Sequence, residues 1–202
     1  MNLGVSVARG ELVLFFDSDD RCVPHALERF DYHWRQIPDP SRFWNLCCLC
    51  ATPAGAIVGK SFPADHVDAL TFADQIRYLH SGPWGSTEEK WGVNRTDLLR
   101  QCPWPEGERY APESLVWNRL ARQYASRFVN EALRIYEPNT DGISRNVTDL
   151  RISSPRGTLT YYRELALSPA PATVRLRAAI NFCRFAAITA PRRLGRFMQS
   201  QR

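Results

Sequence analysis

Residues 11–20 read Glu11-Leu12-Val13-Leu14-Phe15-Phe16-Asp17-Ser18-Asp19-Asp20. An unbroken apolar run that stops abruptly at acids predicts a short buried strand over 11–16. Open α/β sheets hold their ligands outside the carboxyl ends of such strands. Three carboxylates within four residues repel one another unless a cation or solvent relieves them. Clusters of carboxylate oxygen suit hard divalent ions such as magnesium or manganese. An ion held here could carry a diphosphate. The alternative is a solvated acidic turn that leads into the next helix.

Outward from this stretch the chain alternates between strand and helix patterns. Pro24 suits a first helical position, and Leu27, Phe30 and Trp34 follow at helical spacing before Pro38-Asp39-Pro40 ends the pattern. A strand is predicted over 42–51, a turn at Thr52-Pro53-Ala54-Gly55 and a returning strand over 56–60. Residues 65–79 predict a helix with Leu70, Ala73, Ile76 and Leu79 inward. A strand over 90–94, a helical turn over 97–101, a helix over 112–124 and a strand over 127–136 complete the series. Residues 153–157 read as a linker, and the remainder as helix interrupted at Pro169, Pro171 and Pro191. The expected organisation is an α/β domain over 1–150 and a linker with a helical extension over 151–202.

The 202 residues are 44% hydrophobic and 23% charged, which excludes a wholly disordered chain. No apolar run, Leu12–Phe16 included, approaches the roughly 20 residues of a membrane-spanning helix. No basic stretch followed by an apolar core opens the sequence, so no secretory signal is expected. Cys47-Cys48-Leu49-Cys50 has no second cysteine pair and no nearby histidine, so it reads as part of a buried strand rather than a zinc knuckle. Nothing suggests a disulfide framework, and a reducing, cytoplasmic setting is the expectation.

Three families share pieces of the acidic pattern. A calcium-binding EF-hand loop needs an acid or amide at its fifth position and glycine at its sixth, where this chain has Arg21 and Cys22. A phosphatase of the haloacid dehalogenase type wants Gly-Thr or Gly-Val after Asp-x-Asp, where this chain has Asp20-Arg21. The third fits better. Asn2-x-Gly4, Ala8-x-Gly10-Glu11, the strand, Asp17-Ser18-Asp19-Asp20, Pro24 and Leu27-Glu28 together resemble the middle of a family 2 glycosyltransferase of the GT-A fold. Gly55–Gly59, Trp104-Pro105-Glu106-Gly107, the Pro112–Leu120 stretch and Tyr136 through Ser144-Arg145 extend the resemblance over residues 2–145.

The resemblance implies a Rossmann-like nucleotide-sugar transferase domain that lacks its first strand–helix units. Those units bind the base and ribose, so a preceding strand–helix–strand portion is expected. It implies transfer, with inversion, of a sugar from a nucleotide-diphosphate sugar to a glycan, lipid or other hydroxyl acceptor, as in cell-envelope polysaccharide synthesis. Asp17 and Asp19 would hold Mn²⁺ or Mg²⁺, Asn2 and Gly4 would lie on the donor side, and Asp20 would order the loop. Glu113 stands where the family usually carries the second acid of Glu-Asp, the catalytic base. Trp84 and Trp91 are open between stacking on a sugar and packing in the core, and His80 is an acceptor-side candidate. A metal-dependent phosphatase and a non-catalytic, partner-binding remnant are the alternatives.

The charge is divided unevenly. Residues 174–202 carry seven arginines and no acid, whereas the rest holds 19 basic and 21 acidic side chains. The basic balance therefore belongs to the tail. Leu176, Ala179, Ile180, Cys183, Ala186 and Ala187 repeat at helical spacing, with arginines largely elsewhere. Such a helix either packs on its own domain or lies peripherally on the inner face of a membrane. Nucleic acid is not an expected partner.

Overall fold

The computed structural model describes residues 1–79, 89–137 and 146–199, with side chains up to 190. The chain divides into two compact units, Met1–Pro103 with Arg119–Asn139, and Trp104–Asn118 with Thr140–Arg202.

The first unit is built on a mixed seven-stranded sheet. Helix α1 (Asn2–Val7) precedes β1 (Leu12–Leu14); β2 (Arg21–Cys22), α2 (Ala26–Arg35), β3 (Phe43–Ala51) and β4 (Ile57–Val58) follow. Next come β5 (His66–Ala69), α3 (Phe72–Leu79), β6 (Lys90–Arg95), α4 (Thr96–Gln101) and, after α5 (Ser114–Ala121), most of which belongs to the second unit, β7 (Ala125–Ile135). The main strand order is β1-β6-β3-β7-β2, with β4 beside β3 and β5 beside β7. Strands β3 and β7 run parallel; the other pairs are antiparallel.

Strand β3 explains the cysteine run. Leu46, Cys48 and Cys50 face one core, with Ala26, Phe30, Trp34 and Ile37 behind them. Cys47 and Leu49 face the other, with Phe62, Ala69 and Phe128. A strand buried on both faces needs no polar alternation. All six cysteines are free, and burial pushes the Cys47 and Cys50 thiols up to about 12, so they behave as small apolar side chains.

Several expectations change. The strand after Glu11 is three residues long, half-buried and at the sheet edge, because it pairs through β6 alone. Helix α2 buries Ala26, Phe30 and Trp34, a spacing of four, and leaves Leu27 67% exposed. The expected helix over 65–79 is a strand and a shorter helix. Val67 and Ala69 alternate against β7, Leu70 is exposed, and Thr71 Oγ1 accepts from the Asp74 amide where α3 starts.

In the second unit the expected linker is the junction of α6 (Val147–Ser153) and α7 (Pro155–Ala166). The Glu108 carboxylate accepts from the Arg156 and Gly157 amides at 2.8 and 2.6 Å, satisfying donors at the start of α7. A Cβ on Gly157 would lie 3.3 Å from the Tyr110 carbonyl oxygen, so glycine permits this approach. Helix α8 (Ala172–Gln199) packs on α7, with Tyr162 stacked on Phe185 at 5.5 Å. It runs through Pro191, where an interruption was expected.

Candidate active site

Strands β3 and β7 end, and antiparallel β6 begins, at one end of the sheet. Strand β1, antiparallel to β6, also ends there. The chain then crosses through Asp17-Ser18-Asp19-Asp20 to β2, which pairs with Arg134 and Ile135 at the close of β7. The turn is thus pinned at both sides of the sheet end. This follows from the sequence, since the apolar run commits β1 and the acids cannot continue it.

The three aspartates are not equivalent. Asp20 is paired with the Arg134 guanidinium and its side chain is 3% exposed. Asp17 is 72% exposed and lies 3.1 Å from the same guanidinium. Asp19 is exposed. Glu89, just before β6, reaches to 3.8 Å from Arg134. Arg134 itself is buried beside Cys50, its parallel register partner. Burial works against its charge, yet Asp20 above all keeps its pKa raised. Burial likewise raises the Glu89 carboxyl; Arg134 opposes this, and Asp20 and Asp17 reinforce it. One arginine is therefore shared among three carboxylates.

This donor set fits a metal held jointly with a diphosphate. Among the described residues no group of three or more His, Cys, Asp or Glu side chains is placed to hold an ion alone. Magnesium-type ions are usually bound by one or two carboxylates, with phosphate oxygens and water completing the shell. The exposed pair Asp17 and Asp19 matches that requirement, and Asp20, committed to Arg134, orders the turn.

Glu113 belongs to the second unit. It lies just before α5 rather than in its first turn, because the helix begins at Ser114. Its carbonyl oxygen accepts from the Val116 amide at 3.1 Å and from Trp104 Nε1 at 3.4 Å, and Trp104 packs edge-on against Trp117. These contacts fix the backbone from which the carboxylate projects. Asn2 and Gly4 open α1, which packs on α4, beyond the end of β6 away from the acids. Trp91 is a core residue: it is 5% exposed, donates from Nε1 to the Phe15 carbonyl at 2.8 Å and meets Phe30 edge-on. His80, Trp84, Ser144 and Arg145 lie outside the described residues.

Arg134 and Glu89 escaped the sequence reading. The available signal was an arginine flanked by Leu133 and Ile135 at the end of a strand that also carries Arg127, Asn130 and Glu131. A buried charge of that kind requires a partner.

No family model matches the chain, and no curated protein matches it. Solved structures do, among them two of one protein. S. aureus TarS 1-349 is 17% identical, with a TM-score of 0.55, over 92% of this chain and 49% of that one. S. aureus TarS 1-349 in complex with UDP-GlcNAc is 19% identical, with a TM-score of 0.59, over 93% and 51%. The chain spans about half the length of the structures it matches. The likeness gives the fold as α/β of the GT-A glycosyltransferase type.

Proposed function

We propose that this chain is part of a glycosyltransferase that moves a sugar from a nucleotide-diphosphate donor to an acceptor hydroxyl, with inversion. The observation that carries the reading is the acid turn at the sheet end. Asp17 and Asp19 stay exposed there while Asp20 is locked to Arg134, on a fold whose solved relatives include a UDP-GlcNAc complex. The fold likeness also favours this reading over a haloacid dehalogenase-type phosphatase.

In this reading Asp17 and Asp19 would hold Mn²⁺ or Mg²⁺ for the donor diphosphate; Asn2 and Gly4 are assigned to the donor side on the family resemblance alone, since α1 lies away from the acid turn. A bound divalent ion supplies positive charge that stabilises the leaving diphosphate. Glu113 accepts the acceptor's proton as the acceptor oxygen bonds to the anomeric carbon, while the bond from that carbon to the diphosphate oxygen breaks. Attack from the face opposite the leaving group inverts the centre. The acceptor is a glycan, a lipid or another hydroxyl compound, and cell-envelope polysaccharide is the proposed setting.

Calorimetry with UDP-sugars and Mn²⁺ on the full-length protein tests the donor half of this reading. Asp19→Asn should abolish the metal-dependent part of binding, since a neutral amide cannot balance the ion; unchanged metal-dependent affinity removes Asp19 from the site. Glu113→Gln tests the acceptor half. A positioned base contributes typically about 10²–10⁴-fold, so turnover should fall at least about 100-fold with donor affinity retained. Near-normal turnover in a folded variant ends the assignment. The acid at 108 cannot replace it as readily, being engaged at the start of α7.

A further inference from the structure

Helix α8 has two apolar faces, and α7 covers one of them. The covered face carries the buried Ala178, Phe185 and Thr189, with Tyr162 of α7 stacked on Phe185. The stripe read from the sequence lies on the other side. Leu176, Ile180, Cys183 and Ala187 succeed one another at spacings of four, three and four, which aligns them along one side of a helix. All four are exposed, Leu176 at 63% and Ile180 at 59%. Arg177 and Arg184, also exposed and seven residues apart, follow one border of this stripe. No acid occurs anywhere from 174 to 202, against seven arginines.

We infer that this face of α8 rests on an anionic lipid surface. The apolar stripe enters the boundary between headgroups and acyl chains, and the arginines bordering it pair with lipid phosphates while their stems lie along apolar surface. Charge selects this occupant over a second copy of the chain. Two α8 helices paired through the stripe would bring Arg177 and Arg184 of each copy together, with no acidic residue on either helix to relieve them. A lipid phosphate surface supplies the missing counter-charge. No helix of the described residues is long and apolar enough to cross a membrane, so the contact is peripheral.

Co-sedimentation of the whole protein with vesicles tests the inference. Binding is expected to vesicles of phosphatidylcholine and phosphatidylglycerol in equal parts, and not to phosphatidylcholine alone. It should weaken steeply as salt rises from about 0.1 M to about 1 M, because the screening length falls from about 10 Å to about 3 Å. A basic residue near an anionic surface contributes roughly a factor of five, so Arg177→Gln with Arg184→Gln should weaken binding about 30-fold. Leu176→Glu with Ile180→Glu should weaken it at least about tenfold, since two apolar side chains leave the boundary and two negative charges enter. Both pairs sit on the exposed face, so melting temperatures should stay at the wild-type value. Equal binding to neutral vesicles, or wild-type binding by either variant, overturns the inference. So does a dimer in sedimentation velocity that disappears in the Leu176→Glu, Ile180→Glu variant, which would assign the face to a second copy.

Discussion

Strand β7 carries two arginine–carboxylate clusters, and they are balanced in opposite ways. At its end Arg134 answers to Asp20, Asp17 and Glu89. Three residues earlier Glu131 is met by two partners from α2: Arg29 Nε at 2.8 Å and His33 Nε2 at 2.7 Å. A neighbouring pair, Arg127 with Asp68, is matched one to one, with two contacts of 2.7 Å. The second group lines a polar cleft of about 450 Å³, yet its charges satisfy each other. The first group sets Arg134, with Lys90 close to Glu89, against three carboxylates, of which Asp17 is the most exposed. Matched charge fastens elements together. In the proposed function, the charge left over at the sheet end is what a divalent cation would meet.

The largest effect should come from removing the buried arginine. Arg134→Met leaves Asp20, 3% exposed, without its counter-charge. Breaking a buried pair in this way costs about 3–5 kcal/mol, which thermal melting would register at once. Added Mn²⁺ should restore part of the loss, because the ion supplies the positive charge that the turn has lost. Arg29→Met should cost far less and gain nothing from Mn²⁺, since His33 remains on Glu131. Equal losses in the two variants, or no rescue by the ion at the acid turn, would erase the distinction between the clusters.

An intermediate effect is expected from the exposed acids. Asp17→Asn and Asp19→Asn each remove an exposed carboxylate, and an ion pair as exposed as that of Asp17 with Arg134 is worth little, so melting without metal should change only slightly. Groups that merely support metal ligands are worth about 10–100-fold in affinity, so loss of a direct ligand should weaken Mn²⁺–UDP binding by at least that much. Asp68→Asn, at the matched cluster, should leave this binding unchanged. An effect at Asp68 as large as at Asp19 would mean that the response is general electrostatics rather than ligation.

The sequence announced these regions unequally. The acid turn was legible because its charges are contiguous and follow an apolar run. Its counter-ion was not, because Arg134 arrives through the parallel pairing of β3 with β7, some 115 residues later in the chain. The same holds for Gln75, fully buried in the core. It accepts from Trp44 Nε1 and donates to the Ala121 and Tyr124 carbonyls, partners that no local pattern reveals. The helix over 65–79 was misread because Leu70, Ala73 and Ile76 mimic a helical stripe, while β5 is fixed by tertiary pairing with β7. In α8 the apolar spacing was legible but its direction was not. Ala178, Phe185 and Thr189 form the covered face there, and Leu176 and Ile180 the open one.

The smallest expected effect tests the matched cluster through pH. The hydrogen bond from Arg29 is the leading cause that holds the Glu131 carboxyl down to about 2; partial burial opposes it and His33 adds to it. In an unfolded chain the same group titrates near about 4.3. A carboxyl that is more acidic folded than unfolded stabilises the fold while ionised, hence at every pH above that unfolded value. The contribution is lost as pH falls from about 4.3 towards about 2, because the unfolded state takes up its proton first. Glu131→Gln should therefore lower the melting temperature slightly at neutral pH. The side chains of Glu131 and Arg29 are 30% and 33% exposed, so solvent screening keeps the difference small. Wild type and variant should converge on acidification across that window. A gap that stays constant down to the lowest pH at which the wild type is folded would show that Glu131 acts through packing. The contrast between a cluster that fastens by charge and one that holds charge in reserve would then rest on the acid turn alone.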